Sequence, residues 1–388
     1  MVSESYAGVS VAGAGQSVYE KRTDKSVHRV IWEAAQSALA SAHLPWEKVD
    51  GLALTSYMLG PDDVTTVAEH FGLEPRWLYQ GAYGGASAII GILQAARAIQ
   101  AGDASVVVCV AADVFDVATH NEMIDRSFSG PLRDYLAPFG FGGANGVFAL
   151  HTRVYMEKHG TRREDFGRLA IAQRANALRN PNALFKQALT MDAYLNARPI
   201  ADPLRLYDCV LPCCGGDAVV LCGAREAVAL GVPVISIRAG GQRHNSPVED
   251  IYGLRTGWHA FCDELYEQAG SGPQDMDFAQ LYDDYPVMEF LQLEGLGFCR
   301  EGAAAELIRA GRGTAGRPLP INTGGGQLSA GQAGAGGGMI GVVEAVLQLR
   351  GEAADRQISC RQGLASGYGM VSYGRGLSTA AMILGNEA

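Results

Sequence analysis

Charge is scarce in this chain: 19% of its 388 residues are Asp, Glu, Lys or Arg. The 31 basic residues form no run longer than Arg162-Arg163 and are outnumbered by 41 acidic ones, for a net charge of −10. That balance argues against a nucleic-acid groove, which draws on a basic excess, yet a local basic patch could still meet an anionic ligand. Long apolar runs are missing too. The longest, at 106–112, is far short of a membrane span. The opening MVSESYAGVSVAGAGQ has no basic segment followed by a long apolar one, so no secretory signal is expected. The eight cysteines, at 109, 209, 213, 214, 222, 262, 299 and 360, contain no CxxC pair. Several lie inside strand-like runs such as SVVVCVAA and AVVLCG, which fits buried, reduced thiols in a cytoplasmic protein.

Glycine is abundant instead, with 50 residues crowded toward the C-terminus. With 48% hydrophobic residues the chain is long enough for a large core, and about two domains of roughly 100–200 residues are expected. Residues 8–15 read as a strand entering a Gly turn, and 26–42 carry Val27, Val30, Ile31, Ala34, Ala38 and Leu39 near helical spacing. Strands are expected at 49–54 and 104–112, with a helix between 84 and 100. This order marks an α/β domain. Residues from about 113 to 205 are richer in charge and aromatics and read as a helical and loop insertion. Further strands are expected at 232–237, 278–282, 365–373 and 377–384, with helical patterns at 257–268 and 286–297. GGASAIIGILQAARAIQAGD and GAGGGMIGVVEAVLQLRGE share a plan of Gly turn, amphipathic helix and polar stop. Two related halves are therefore expected, at 1–225 and 226–388.

The segments GGASAIIGILQAARAIQAGDASVVV, NALRNPNALFKQALTMDAYLNARPIADPLRLYDC, GGDAVVL, LYDDYPVMEFLQLEGLGFC, PINTGGGQLSAGQAGAGGG and SGYGM follow one another along nearly the whole chain. Together they resemble the thiolase superfamily, in its sterol-carrier, lipid-transfer type. The resemblance implies a duplicated five-layer αβαβα fold, a homodimer, and a coenzyme A thioester bound where the halves meet.

The same motifs depart from thiolase chemistry. The resemblance places a nucleophilic Cys at the start of the first buried helix, where the helix dipole lowers a thiol pKa. Gly85 or Ala86 stands there, and no Cys precedes Cys109. Ser87 is the hydroxyl of that turn, and it matches a capping residue better than a nucleophile without a base. The Gly-His-Pro loop of such thiolases reads Gly331-Gln332-Ala333, and no His follows His259. Gln332 can donate to an oxyanion but cannot act as acid or base, and it serves equally well as an amide bracing the loop. His-Asp-Cys-Phe is replaced by Tyr282-Asp283-Asp284-Tyr285, and the last catalytic Cys, expected near Ala365 or Ser366, is absent. Thiolysis through an acyl-enzyme is not expected.

Thiolase-like proteins without the Cys pair include aldolases that split β-hydroxyacyl-CoA thioesters from steroid-like side chains. Retro-aldol cleavage needs a base for the β-hydroxyl, donors for the thioester enolate and an acid to reprotonate it, with no covalent nucleophile. A Tyr of lowered pKa could carry the proton, and backbone N–H groups of Gly turns could hold the enolate oxygen. Tyr282 and Tyr368 are the candidate proton carriers, with Gln332 beside them. Asn322, Gly85, Ala86, Ser87, Gly325 and Gly369 are candidates for holding the thioester, and Tyr285 and Tyr373 are weaker ones. Each Tyr must be weighed against a packing residue whose hydroxyl finds one partner. The resemblance also implies a companion protein with a zinc ribbon and an OB-like domain. No covalently bound cofactor is expected, with coenzyme A entering as part of the substrate.

Other signals are weaker. Gly13-Ala14-Gly15 imitates a dinucleotide fingerprint, but Val18 occupies the third Gly position. Asp283-Asp284 reads as a solvated or capping pair, and Cys209, Cys213 and Cys214 as structural residues rather than metal ligands. Two other functions stay open: a non-catalytic acyl-CoA-binding scaffold, and an acyltransferase whose nucleophile comes from elsewhere.

Overall fold

A computed structural model describes residues 5–127, 130, 132–140, 143–250, 253–311, 318–372 and 375–387. The N-terminal elements are β1 (Val9–Gln16), α1 (Val27–Ser41), β2 (Gly51–Thr55), α2 (Val64–His70), β3 (Trp77–Gln80), α3 (Ser87–Ala101) and β4 (Val106–Val114). Ser26 starts α1 by accepting from Arg29 N–H, and Val30, Ile31, Ala34, Ala38 and Leu39 form its buried stripe. α3 ends where Gly102 turns left-handed, at φ 81°. Between β4 and the next strand of the main sheet lie α4 (Val117–Ser127), α5 (Gly143–His159), α6 (Arg163–Ala177), α7 (Met191–Leu195) and the short pair β5 (Pro199–Ala201) and β6 (Leu204–Arg205), over the stretch read from the sequence as an insertion. β7 (Cys214–Gly223) then rejoins the main sheet.

The remainder runs α8 (Ala224–Ala229), β8 (Ile235–His244), α9 (Cys262–Ala269), β9 (Ala279–Gln280), α10 (Pro286–Gly295), α11 (Ala304–Ala310), α12 (Gly326–Ala330), α13 (Ile340–Arg350), β10 (Gln362–Ser372) and β11 (Arg375–Asn386). Nine strands are ordered β3-β2-β4-β7-β1-β8-β11-β10-β9. The pattern on one side of the β1–β8 junction repeats on the other. β3, β2 and β4 pair in parallel, then β7 and β1 follow antiparallel. β9 pairs β10 in parallel, β11 and β8 follow antiparallel, and an isolated bridge from Ala279 to Ile321 stands where β3 would be. A lone residue pair, Ser10 with Ser236, registers β1 against β8.

α3 and α13 share one apolar cluster with strands from both sides, through Ile89, Ile92, Leu93, Val342, Val343 and Val346. A second cluster joins α1 and α2 to the outer face of the N-terminal strands. A third joins α5, α6, α9, α10 and α11 to the C-terminal strands. Helix, strand, helix, strand and helix layers result, the expected mixed α/β architecture. Several bounds differ from expectation, and two departures have a clear physical cause. β8 extends to His244 rather than ending at 237, because Gly240 lies under Leu93 of α3 and Gly241 under Phe261, leaving no room for a side chain. β3 had no expected counterpart; its Trp77 and Tyr79 stack in parallel planes along an edge strand. Among the described residues, no helix is long and apolar enough to cross a membrane.

Candidate active site

The parallel strands β2, β4 and β9 point their carboxyl ends at one place, where open α/β sheets commonly hold ligands. Loops from both halves of the sheet enclose a cavity of about 160 Å³ there. Tyr57 follows β2, Phe115 follows β4, and Gly84-Gly85 precede α3. Tyr282, Asp284 and Tyr285 come from the loop between β9 and α10, Gln332 from the loop after α12, and Tyr368 and Gly369 from β10. The insertion closes the wall with His120 and Met123 of α4 and Ala144 and Phe148 of α5. None of these described lining residues is Cys, Ser or Thr.

Gly85 and Tyr282 fit each other. A Cβ added at Gly85 would overlap Cε2 and Cζ of the Tyr282 ring and come within 2.6 Å of the Tyr368 carbonyl oxygen. The phenol therefore fills the space where a nucleophile's side chain would begin. The two phenol rings lie 6.5 Å apart, and Tyr368 stacks on Trp258 at 5.7 Å. Gln292 of α10 fixes the Tyr282 backbone: its Oε1 accepts from Tyr282 N–H at 2.9 Å and its Nε2 donates to the Tyr282 carbonyl at 2.6 Å. Ser366 of β10 donates to the same Oε1 at 2.6 Å, so one amide joins the two tyrosine-bearing segments. Tyr285 stacks on Phe148 at 4.2 Å and donates to Asn145 Oδ1 at 2.7 Å. It reads as a packed wall with a satisfied hydroxyl.

Burial, and next the Asp284 carboxylate, raise the Tyr282 phenol well above its usual range. Tyr368 is raised by the same two causes, opposed by the Gly376 N–H. The lowered pKa that would let a Tyr serve as base is thus not what these environments produce: desolvation disfavours the anion, and among the described residues no Lys or Arg lines the cavity to offset it. Both phenols stand as proton and hydrogen-bond donors.

The other candidates separate. Gln332 lines the cavity, and its Nε2 donates to Gln327 Oε1 at 3.0 Å. Gly369 lines it as well, under the Tyr83 carbonyl. Ala86 and Ser87 are buried behind Gly85. Ser87 Oγ accepts from Tyr83 N–H at 2.7 Å, tying the entry turn to the first residue of α3. Asn322 and Gly325 lie elsewhere. The Asn322 side chain accepts from Leu281 N–H at 2.7 Å and donates to its carbonyl at 3.0 Å, a bracket a thioester would have to displace. Gly325, at φ 99°, allows close approach to Ala177. Tyr373 lies outside the described residues.

Of the solvated or capping pair expected at Asp283 and Asp284, neither residue is solvated, and Asp283 caps. Asp283 is buried and accepts from the N–H groups of Gln327 at 2.8 Å and Leu328 at 3.1 Å, capping α12. Burial pushes its carboxyl up to about 7 against those two bonds. Asp284 faces the cavity, 8% exposed. Its one visible signal in the sequence was its place between two motif tyrosines. His120 sits edge-on to Phe115 at 5.4 Å, its pKa lowered by burial, and nothing in the sequence pointed to it. Asp113, at the end of β4, holds the rim. It accepts from Ser56 Oγ at 2.6 Å, Tyr57 N–H at 2.9 Å and Met58 N–H at 2.8 Å, and its second oxygen accepts from Ala335 N–H at 2.7 Å.

Comparison with known proteins places this geometry. Residues 241–386 match the thiolase C-terminal domain-like family. A "Steroid side-chain-cleaving aldolase" of Thermomonospora curvata is 32% identical over 97% of this chain and 98% of its own length. A "17-hydroxy-3-oxo-4-pregnene-20-carboxyl-CoA lyase" of Mycobacterium tuberculosis is 33% identical over the same shares. The solved structure titled "Ltp2-ChsH2(DUF35) aldolase" superimposes with a TM-score of 0.85 at 31% identity, covering 98% of both chains. A cavity that keeps the Gly turns and puts phenols where the sulfur chemistry stood, in a chain this similar to these proteins, belongs to the thiolase superfamily, in its aldolase-like subgroup.

Proposed function

We propose that the protein is a carbon–carbon lyase that cleaves a β-hydroxyacyl-CoA by a retro-aldol reaction, releasing a ketone and a shorter acyl-CoA. The observation that carries this reading is the Tyr282 ring filling the side-chain space of Gly85, with Tyr368 beside it. A thiolase needs a thiol at that point; a retro-aldolase needs donors that stabilise an enolate. Both phenols are protonated, so their hydroxyl groups suit the thioester oxygen as negative charge develops on it, among buried side chains where such bonds count for more. Gln332 provides a further amide at the rim. The cavity's size suits the reacting end of a substrate, with a steroid-like acyl part supported by the similarity to the aldolase and the lyase.

The halves 1–225 and 226–388 each supply part of the site, and coenzyme A enters with the substrate. A companion protein with a zinc ribbon and an OB-like domain is part of the proposal, supported by the complex named for the similar solved structure. So is a homodimer, the state the family resemblance implies. The test is to incubate the chain, co-purified with that companion, with tertiary β-hydroxyacyl-CoAs and to follow ketone and shorter acyl-CoA. Thioester binding without products would return the scaffold reading. A covalent acyl adduct seen by mass spectrometry would return the acyltransferase.

A further inference from the structure

Phenols held protonated leave the proposed reaction without a base, because a retro-aldol step begins by removing the β-hydroxyl proton. Two described residues lining the cavity carry a carboxyl or an imidazole that can exchange a proton, Asp284 and His120. Asp284 is more than nine-tenths buried and sits in the loop between the motif tyrosines. Its Oδ1 has no hydrogen-bond partner among the described residues. A buried carboxylate oxygen without a donor is costly unless a ligand supplies one. A substrate hydroxyl is such a donor. His120 packs edge-on to Phe115 on the insertion wall, across from the tyrosine-bearing loop.

We infer that Asp284 is the general base of this site, with Oδ1 receiving the β-hydroxyl proton of the thioester substrate. The inference rests on the retro-aldolase reading. The O–H bond breaks toward Oδ1, and the hydroxyl oxygen's electrons form the new ketone C=O. The Cα–Cβ bond breaks, and its electron pair passes to the thioester enolate held by the phenols. The proton on Asp284 then moves to Cα, which releases the shorter acyl-CoA and restores the carboxylate. No oxidant or covalent intermediate is required.

The groups facing Asp284 fit this task. Asp283 precedes it in the loop, Glu289 approaches from α10, and Tyr57, Tyr282, Tyr285, Tyr368 and Cys209 surround it. Burial first, and then Asp283, raise its pKa well above the usual carboxylate range. The carboxylate that forms above that raised value is a stronger base than an exposed Asp, so the cleavage it supports rises with pH.

The experiment measures kcat, KM, thioester affinity and thermal midpoint for wild type, Asp284→Asn, Asp284→Glu and His120→Gln, each with the companion protein. Asp284→Asn is expected to lower kcat by about 100-fold or more while thioester affinity stays within about threefold. The rising acid limb of the wild-type kcat/KM profile should vanish in that variant and persist, displaced, in Asp284→Glu. Wild-type turnover in Asp284→Asn overturns the inference and leaves the aldolase reading standing. So does an equal loss of affinity or folding, which marks a structural role, or a loss confined to His120→Gln. A wild-type complex that cleaves no β-hydroxyacyl-CoA overturns the aldolase reading and, with it, this one.

Discussion

Tyr282 and Gly85 are a matched pair, and each constrains the other. Substituting Gly85 by Ala forces a Cβ into the Tyr282 ring, and overpacking of this kind costs about 1–3 kcal/mol. A drop of that size in a urea unfolding series is expected, together with loss of cleavage. Gly85→Cys should be destabilised likewise and gain no thiolase activity, since the ring already occupies the thiol's place. Removing either hydroxyl tests the donors directly. Tyr282→Phe and Tyr368→Phe are each expected to reduce kcat by about 100- to 10,000-fold with the fold intact. Cleavage at the wild-type rate in both would remove the roles given to them. Because burial raises both phenols, neither titrates below its ordinary range near about pH 10. No alkaline fall in kcat/KM is therefore expected between about pH 7 and 9.

At the scale of elements, α10 holds the site together through a single amide. Gln292 is fully buried and satisfies the Tyr282 N–H and carbonyl as well as the Ser366 hydroxyl of β10. Gln292→Ala strips three buried polar groups of their partner, at about 1–3 kcal/mol for each left unpaired. Partial repair makes about 2–4 kcal/mol the expected loss in equilibrium unfolding. Because the Tyr282 loop is then free to shift, kcat should fall more than KM rises. A variant as stable as wild type would show that the loop is held elsewhere. These joints could not be read in advance. Gln292 lies in a helix whose sequence pattern speaks only of burial, and Ser366 is 74 residues away. Asp284 was visible as a letter within the Tyr-Asp-Asp-Tyr motif, but an acidic pair in sequence is solvated more often than buried.

For the whole molecule, buried carboxyls set the response to pH. Burial pushes Asp113 up to about 6, and Asp217 and Asp283 up to about 7. Between about pH 4 and 7 the folded chain therefore holds protons that the unfolded chain has released. Stability then falls as pH rises through that window. Glu33, paired with Lys25 and Arg29, and Asp165, paired with Arg309, are held below the usual range. Their contribution is present above about pH 4 and is lost as pH falls further. Urea unfolding should thus show its maximum near about pH 4–5 and a decline toward 7.5, and Asp217→Asn should flatten part of that decline. A curve rising from 5 to 7.5 would contradict this assignment.

Local pattern was enough to read the α/β class, the order of the major elements and the missing sulfur and imidazole. These rest on periodicity and on residue identity, which are properties of the chain itself. It also picked out Tyr282, Tyr368, Gln332, Gly85 and Gly369, which the fold gathers at one cavity. It could not decide the protonation of the phenols, the depth at which Asp283 and Asp284 sit, or the detachment of Asn322 and Gly325 from the site. Those depend on desolvation and on partners distant in the chain, and both come into being only when strands and loops from the two ends of the sheet close over the same space.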